Sequence, residues 1–152
     1  MRVTALMFLC GILCAPRSAQ TSQKKQGSSV DQKVASLINK TVHKQTEHKA
    51  FADLEALGCA AVPSIIRQMD DYRALPDPSI SLQNKSANAF EGVRHYGPKK
   101  VVDALAAILN QLTGQDFGSI YNGAADAQRR NAVQSWRDWL RKTPPEKLCG
   151  DG

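Results

Sequence analysis

The stretch LGCAAVPSIIRQMDD, residues 57–71, decides how this chain folds. Around Pro63 runs an apolar pattern at helical spacing, made by Val62, Ile65, Ile66 and Met69. Proline suits the first turn of a helix, because its missing N–H would have no intrahelical partner there. Gly58, just upstream, is the residue type that ends a helix. The stretch therefore predicts a tight corner between two helices.

Apolar faces at helical spacing occupy most of the remaining chain. They are formed by Val34, Leu37, Ile38, Thr41 and Val42; by Phe51, Leu54 and Leu57; by Val101, Val102, Leu105, Ile108, Leu109 and Leu112; and by Val133, Trp136 and Leu140. The first two faces predict one bent helix or two. Ser29 and Gln32 have capping-box spacing and predict a helix start. Residues 78–84 alternate briefly but follow prolines, which favours an extended loop over a strand.

The corner occurs a second time, 39 residues further along the chain. AFADLEALGCAAVPSIIRQM (50–69) aligns without gaps with AFEGVRHYGPKKVVDALAAI (89–108), so that Phe51 matches Phe90. Repeats with periods in this range are typical of two-helix solenoids, in which stacked hairpins complete one another's core. The alignment predicts two stacked helical hairpins, with a long insert from Tyr72 to Ala87 between them.

These residues resemble the HEAT-like repeat proteins, in the short bacterial form described as PBS-lyase-type HEAT repeats. LEALGCAAVPSIIRQMDD is similar to the corner of that family, and YGPKKVVDALAAIL keeps its Gly-Pro. The resemblance covers residues 46–112. It implies an all-α fold, a short α-solenoid of helical hairpins. It also implies protein binding and not catalysis. The lyase activity in the family's name cannot be carried over, because no residue here matches a catalytic motif.

The chain ends suggest an exported protein of one domain. Met1–Ala19 has a positive start, an apolar run too short to span a bilayer and a small-residue end, which predicts a signal peptide. We expect a flexible leader at 20–29, a helical domain at 30–143 and a tail at 144–152. Removal of the signal peptide leaves 18 Lys+Arg against 14 Asp+Glu, a net charge of +4. That excess is too small to indicate a nucleic-acid partner. Localisation is predicted as periplasmic or secreted, with no stable membrane insertion after signal cleavage; the alternative is that Met1–Ala19 stays uncleaved as a membrane anchor.

Candidate chemical groups are few. His43 and Glu47 are spaced i, i+4 and could share a metal, but two ligands make a weak site, so a solvated helix face is favoured. No motif indicates a cofactor, and the sequence predicts a protein that is not an enzyme. The loop LTGQDFGSIYNGAAD (112–126) is interpreted as packed on the last helix, with a recognition loop as the alternative. On that helix the basic residues are predicted to form the solvated face, with a membrane-surface role as the alternative: Arg129, Arg130, Arg137, Arg141 and Lys142.

A partner protein is the predicted ligand. The repeat places charged groups of both signs near the insert, and these are the predicted partner-binding residues: Asp70, Asp71, Arg73, Arg94 and His95. His95 and Arg94 are expected on a surface flank and Tyr96 in the core. The leading hypothesis is an exported protein–protein interaction module. The alternative is a periplasmic inhibitor or immunity-type protein that blocks a secreted enzyme.

Two cysteines remain after signal cleavage, Cys59 and Cys149, in a compartment that permits oxidation. Cys59 lies at the first corner, and the last helix should end at the same edge of the stack, about 20 Å away for helices 8–10 Å apart. The tail that follows can span that distance at roughly 3.3 Å per residue. We therefore predict a disulfide, against the alternative of a buried Cys59 and a free Cys149.

Overall fold

The structure is a computed structural model that describes residues 19–84 and 90–149. Apart from Ala19, the predicted signal peptide lies outside the described residues. The last residues of the predicted insert and of the predicted tail lie outside them as well.

Within these ranges the chain forms five α-helices and two short β-strands. In chain order they are α1 (Ala19–Lys40), α2 (Glu47–Ala56), α3 (Val62–Arg67), β1 (Ile80–Gln83), β2 (Val93–Tyr96), α4 (Val101–Thr113) and α5 (Asp126–Lys142). Helix is the predominant secondary structure of the described residues, so the predicted all-α fold is confirmed in its coarser form, as a mostly helical one.

The corner at residues 57–71 forms as predicted. Gly58 has a positive φ of 62°, which favours glycine, and it follows the end of α2. A short 3-10 turn, Gly58–Ala61, leads into α3, where Pro63 occupies the first turn. The apolar residues of α3 are buried, so the corner brings its two helices together over one core.

Helix α4 lies at the centre of the fold. Every residue of it except Asn110 is buried, as expected for a helix that is apolar on nearly all sides and surrounded by other elements. Helices α2 and α3, strand β1 and the 3-10 turn Ile120–Asn122 pack around it. Gly114, with φ 69°, ends the helix as predicted, and its N–H donates to the carbonyl of Asn110 at 2.9 Å.

The N-terminal helices differ in part from the prediction. Two helices form rather than one bent helix, because the chain turns between Lys40 and Glu47. The hydroxyl of Thr46 closes this turn by donating to the carbonyl of Lys40 at 2.7 Å. The helix start predicted at Ser29 is wrong, since α1 already begins at Ala19 and continues through that residue.

Strand β1 contradicts the interpretation of residues 78–84 as loop. Ile80 and Leu82 are buried and alternate with exposed neighbours, as one face of a strand requires. The prolines precede the strand and do not interrupt its hydrogen bonds. Strand β1 pairs antiparallel with β2, in a register that runs from Ile80 opposite Tyr96 to Gln83 opposite Val93.

Strand β2 replaces the first helix of the predicted second repeat. Phe90 is fully exposed, whereas Phe51, its match in the alignment, is buried. Gly92 disfavours helix in this segment, and Val93 and Tyr96 favour a strand once β1 provides a partner. The helix predicted there is wrong, and a solenoid of stacked helical hairpins is not confirmed.

Candidate functional site

The first group of predicted partner-binding residues borders the start of α4. The carbonyls of Asp71 and Arg73 accept the N–H groups of Val102 and Val101, each at 3.0 Å. These are N–H groups that a helix start otherwise leaves without partners. The Arg73 side chain binds the Asp71 carboxylate at 2.5 Å and also donates to Asn39 at 3.1 Å. The segment is therefore fixed against α4, and its charges neutralise one another.

A surface depression of about 640 Å³ lies over this segment, lined by Arg67, Gln68, Asp70, Asp71, Tyr72 and Arg73. Asp70 binds Arg137 of α5 at 2.5 Å, and Arg67 binds Asp31 of α1. These pairs are largely exposed, so each stabilises the fold only modestly. The depression is therefore lined mainly by polar side chains whose charges are largely paired.

The second group, Arg94 and His95, lies on β2. With the side-chain amide of Gln111 oriented so that its oxygen faces β2, that oxygen lies 3.2 Å from Arg94 Nη1 and also accepts a hydrogen bond from the Tyr96 hydroxyl. Gln111 belongs to the last turn of α4, whereas Asp71 contacts the first. The structure thus places the two groups toward opposite ends of α4 and does not bring them into one patch.

The core position of Tyr96 and the exposed positions of Arg94 and His95 are as predicted. The Tyr96 ring contacts the Tyr121 ring edge-on, with centroids 5.3 Å apart. His95 Nδ1 lies 2.9 Å from the Ser81 hydroxyl across the hairpin. Neither Arg94 nor His95 pairs with a carboxylate in the part of the chain that the structure describes.

The β-hairpin is held by carboxylates and an amide that the sequence analysis missed. Glu55 of α2 accepts the Gln83 N–H at 3.1 Å, and Asn122 accepts the Gly97 N–H at 2.8 Å. Glu47, also on α2, accepts the Asp77 N–H at 3.0 Å just before the hairpin. The prediction of a solvated face at Glu47 is wrong, because this residue is 0% exposed. Burial raises the pKa of its carboxyl, and Oε1 has no hydrogen-bond partner among the described residues.

A buried ion pair joins α5 to the start of α4. The Arg129 side chain donates to both carboxylate oxygens of Asp103, at 2.7 and 2.8 Å, and to Asp126 at 2.8 Å. Asp103 also accepts the N–H groups of Lys99 and Lys100, which caps α4. Arg129 was predicted on the solvated face, but it is 4% exposed. The hydrogen bond to Asp103 is the main reason that the pKa of Arg129 lies above its ordinary value.

The loop between α4 and α5 packs on the last helix, as predicted. The ring of Phe117 contacts Trp136 edge-on, with centroids 4.7 Å apart, and Trp139 at 6.4 Å. The role of recognition loop stays a prediction.

The predicted disulfide is present between Cys59 and Cys149. The Cα atoms are 5.9 Å apart, within the range that disulfides need. After α5 the chain turns at Pro145–Lys147 and buries Leu148, which directs Cys149 back to the corner at Gly58. The bond therefore fastens the C-terminal tail to the first helical corner.

No cluster of three or more His, Cys, Asp or Glu suited to a metal ion occurs in residues 19–84 and 90–149. Over the same ranges no helix combines the length and the apolar character needed to cross a membrane. Comparisons with protein-family models, with curated proteins and with solved structures give no match to this chain.

Proposed function

We propose that this protein is an exported, non-enzymatic protein–protein interaction module that binds its partner through the β-hairpin. The observation that carries the proposal is the exposure of Phe90 and Val93. They are the only large apolar side chains that are exposed among the described residues, at 102% and 42% of their full area, and they lie within four residues of one another.

Exposed apolar side chains next to an arginine favour association with another protein. Exposed Phe90 contributes nothing to the folded core, and its transfer out of water would favour association by about 1.5–3 kcal/mol. Aromatic residues and arginine are the types enriched in the centres of protein interfaces. Arg94 and His95, predicted from the sequence as partner-binding residues, lie next to this apolar pair.

Export is supported by the signal-peptide pattern and by the disulfide, since disulfides persist mainly in oxidising compartments. The proposal includes a HEAT-like relationship only for residues 46–69, where α2 and α3 meet at Gly58 as the resemblance implies. Asp70, Asp71 and Arg73 would provide a separate, weaker contact region, because their charges already have partners.

The test is affinity capture from envelope extract with two forms of the mature chain. One form has the natural sequence, and the other carries Phe90→Ser with Val93→Thr. Because neither residue packs in the core, both forms should show the same helical circular dichroism and the same unfolding midpoint. We expect a protein that the natural form retains and the variant loses. Retention of every captured protein by the variant would contradict the proposal.

The second candidate function, a periplasmic inhibitor or immunity-type protein, uses the same surface against an enzyme. It predicts that the captured partner is an enzyme whose activity falls when the natural form is added and is unaffected by the variant. A captured partner without catalytic activity would exclude it and leave the interaction module standing.

A further inference from the structure

Strand β2 exposes main-chain hydrogen-bonding groups along its outer edge. The Asn84 N–H donates to the Gly92 carbonyl at 3.0 Å. Hydrogen-bonded and non-hydrogen-bonded residue pairs alternate along an antiparallel ladder, so every second pair after Asn84 and Gly92 is also hydrogen-bonded within the hairpin. Val93 and His95 occupy the alternate positions, and their N–H and C=O groups therefore point away from β1. Among the described residues these four groups have no hydrogen-bond partner, whereas the outward N–H of the next alternate residue, Gly97, is satisfied by Asn122.

An open strand edge of this kind can accept a further strand from another chain. We propose, on the basis of the interaction function above, that β2 binds an extended acidic segment of a partner protein by strand addition. Such a segment would exchange four main-chain hydrogen bonds with Val93 and His95. Its middle side chain would lie opposite Arg94, and its two neighbours would lie beside Val93 and His95.

Charge and side-chain type decide the partner's chemistry. Arg94 has no carboxylate partner among the described residues, and the chain without its predicted signal peptide carries 18 Lys+Arg against 14 Asp+Glu, a net charge of +4. Directly opposite pairs of unlike charge stabilise a sheet, so a Glu or Asp is favoured opposite Arg94. Val93 is an exposed apolar residue and favours an aliphatic residue at the position beside it. The expected segment therefore alternates aliphatic and acidic residues.

A second copy of this chain is a poorer occupant of the same edge. The antiparallel register that uses Val93 and His95 of both copies is centred on Arg94. It would bring the two Arg94 side chains directly opposite each other, and like charges in that position destabilise the pair.

The probes are synthetic peptides with alternating valine and glutamate, acetylated and amidated at their ends. Binding to the mature protein is measured by calorimetry at moderate salt. One derivative is N-methylated at every valine, which removes the N–H groups facing Val93 and His95. The other is N-methylated at every glutamate, whose N–H groups face away. We expect the first to bind at least tenfold more weakly than the parent peptide and the second to bind within about threefold. A valine–lysine peptide should bind at least tenfold more weakly, and Arg94→Glu should reverse the preference between the two charges.

Variants of the protein give an independent readout. His95→Pro removes an outward N–H that the hairpin does not use, and proline is tolerated at edge positions whose N–H faces solvent. His95→Ala keeps that N–H and controls for loss of the imidazole. We expect His95→Pro, and not His95→Ala, to weaken peptide binding at least tenfold. Circular dichroism checks that both variants fold. If His95→Pro does not fold, the N-methylated peptides still test the proposal on the natural protein.

Three outcomes would overturn strand addition by an acidic segment. They are no binding of the valine–glutamate peptide, equal effects of the two N-methylation patterns, or self-association in ultracentrifugation that His95→Pro abolishes. The proposed function has a separate test, because capture that depends on Phe90 and Val93 would persist if the partner bound by another mode. Failure of the capture experiment, in contrast, would contradict the proposed interaction function itself.

Discussion

Replacing Arg129 by methionine should destabilise the protein severely. Methionine keeps most of the apolar stem of the side chain but removes the guanidinium that pairs with Asp103. The ion pair is 4% exposed on the Arg129 side and 0% on the Asp103 side. The variant would therefore leave a buried carboxylate without its counter-charge, and water cannot reach that carboxylate to solvate it.

The magnitude follows from the contacts that are lost. Two hydrogen bonds to Asp103 are buried and charge-assisted, and such bonds contribute roughly 1.5–3 kcal/mol each. Removing one partner of a buried pair costs about 3–5 kcal/mol. Asp103 keeps two main-chain N–H donors, Lys99 and Lys100, which favours the lower end of that range. We expect the free energy of unfolding to fall by about 3 kcal/mol.

Urea unfolding of the oxidised mature chain, followed by tryptophan fluorescence and circular dichroism, measures this loss. Arg137→Met is the matched control on the same helix, because Arg137 pairs with Asp70 at the surface and should lose less than about 1 kcal/mol. Adding Asp103→Asn to Arg129→Met should recover part of the loss, since asparagine is neutral and its oxygen can still cap α4. Equal stabilities of Arg129→Met and Arg137→Met would refute the reasoning.

Three further predictions test the disulfide, the buried carboxyl and the failed repeat. Replacing Cys59 and Cys149 together by serine should lower the free energy of unfolding by about 4–5 kcal/mol, from the chain entropy of a closure with a sequence separation of 90; an unchanged urea midpoint would exclude this. Burial raises the pKa of the Glu47 carboxyl above 4.5, so the folded state binds the carboxyl proton more tightly than the unfolded chain does. The protonated carboxyl therefore contributes to the free energy of unfolding at low pH, and this contribution is lost as pH rises through the raised pKa. The stability of Glu47→Gln relative to the natural protein should therefore be greater at about pH 7 than at about pH 4 in urea titrations, and a difference independent of pH would contradict it. Phe51→Ala should lower the free energy of unfolding by about 3–5 kcal/mol, and Phe90→Ala should leave it nearly unchanged in the same assay. Equal losses would instead support equivalent core positions for the two residues, as the repeat alignment predicts.

The parts of the fold that sequence predicted depend on local signals. Gly58, Pro63 and Gly114 specify backbone conformations by themselves, and each acts where the sequence placed it. The disulfide was predictable because few cysteines remain and the tail can reach the corner. These features need only neighbouring residues or chain length, so an isolated sequence is sufficient to find them.

The parts that sequence missed depend on a partner distant in the chain. Residues 90–96 match 51–57 in apolar pattern, yet one segment pairs with β1 and the other forms α2. Strand formation at Val93 requires the hydrogen bonds and buried side chains that β1 provides, and no local signal announces that pairing. For the same reason the sequence placed Arg94 near Asp71, whereas the hairpin carries it to the other end of α4.

Charged residues in phase with the apolar face of a helix are a sequence signal for contacts from outside that helix. Glu47 lies four residues before Phe51, and Arg129 lies four residues before Val133, so each occupies a buried position on its helix. A charge in such a position is costly unless another element satisfies it, and its presence therefore predicts a contact from outside the helix. Glu47 accepts a main-chain N–H from the segment leading into β1, and Arg129 binds Asp103 at the start of α4. Both contacts hold the chain on either side of the hairpin, and neither reaches the outer edge of β2. The fold thus fixes the hairpin at its ends, while the outward main-chain groups of Val93 and His95 have no hydrogen-bond partner among the described residues.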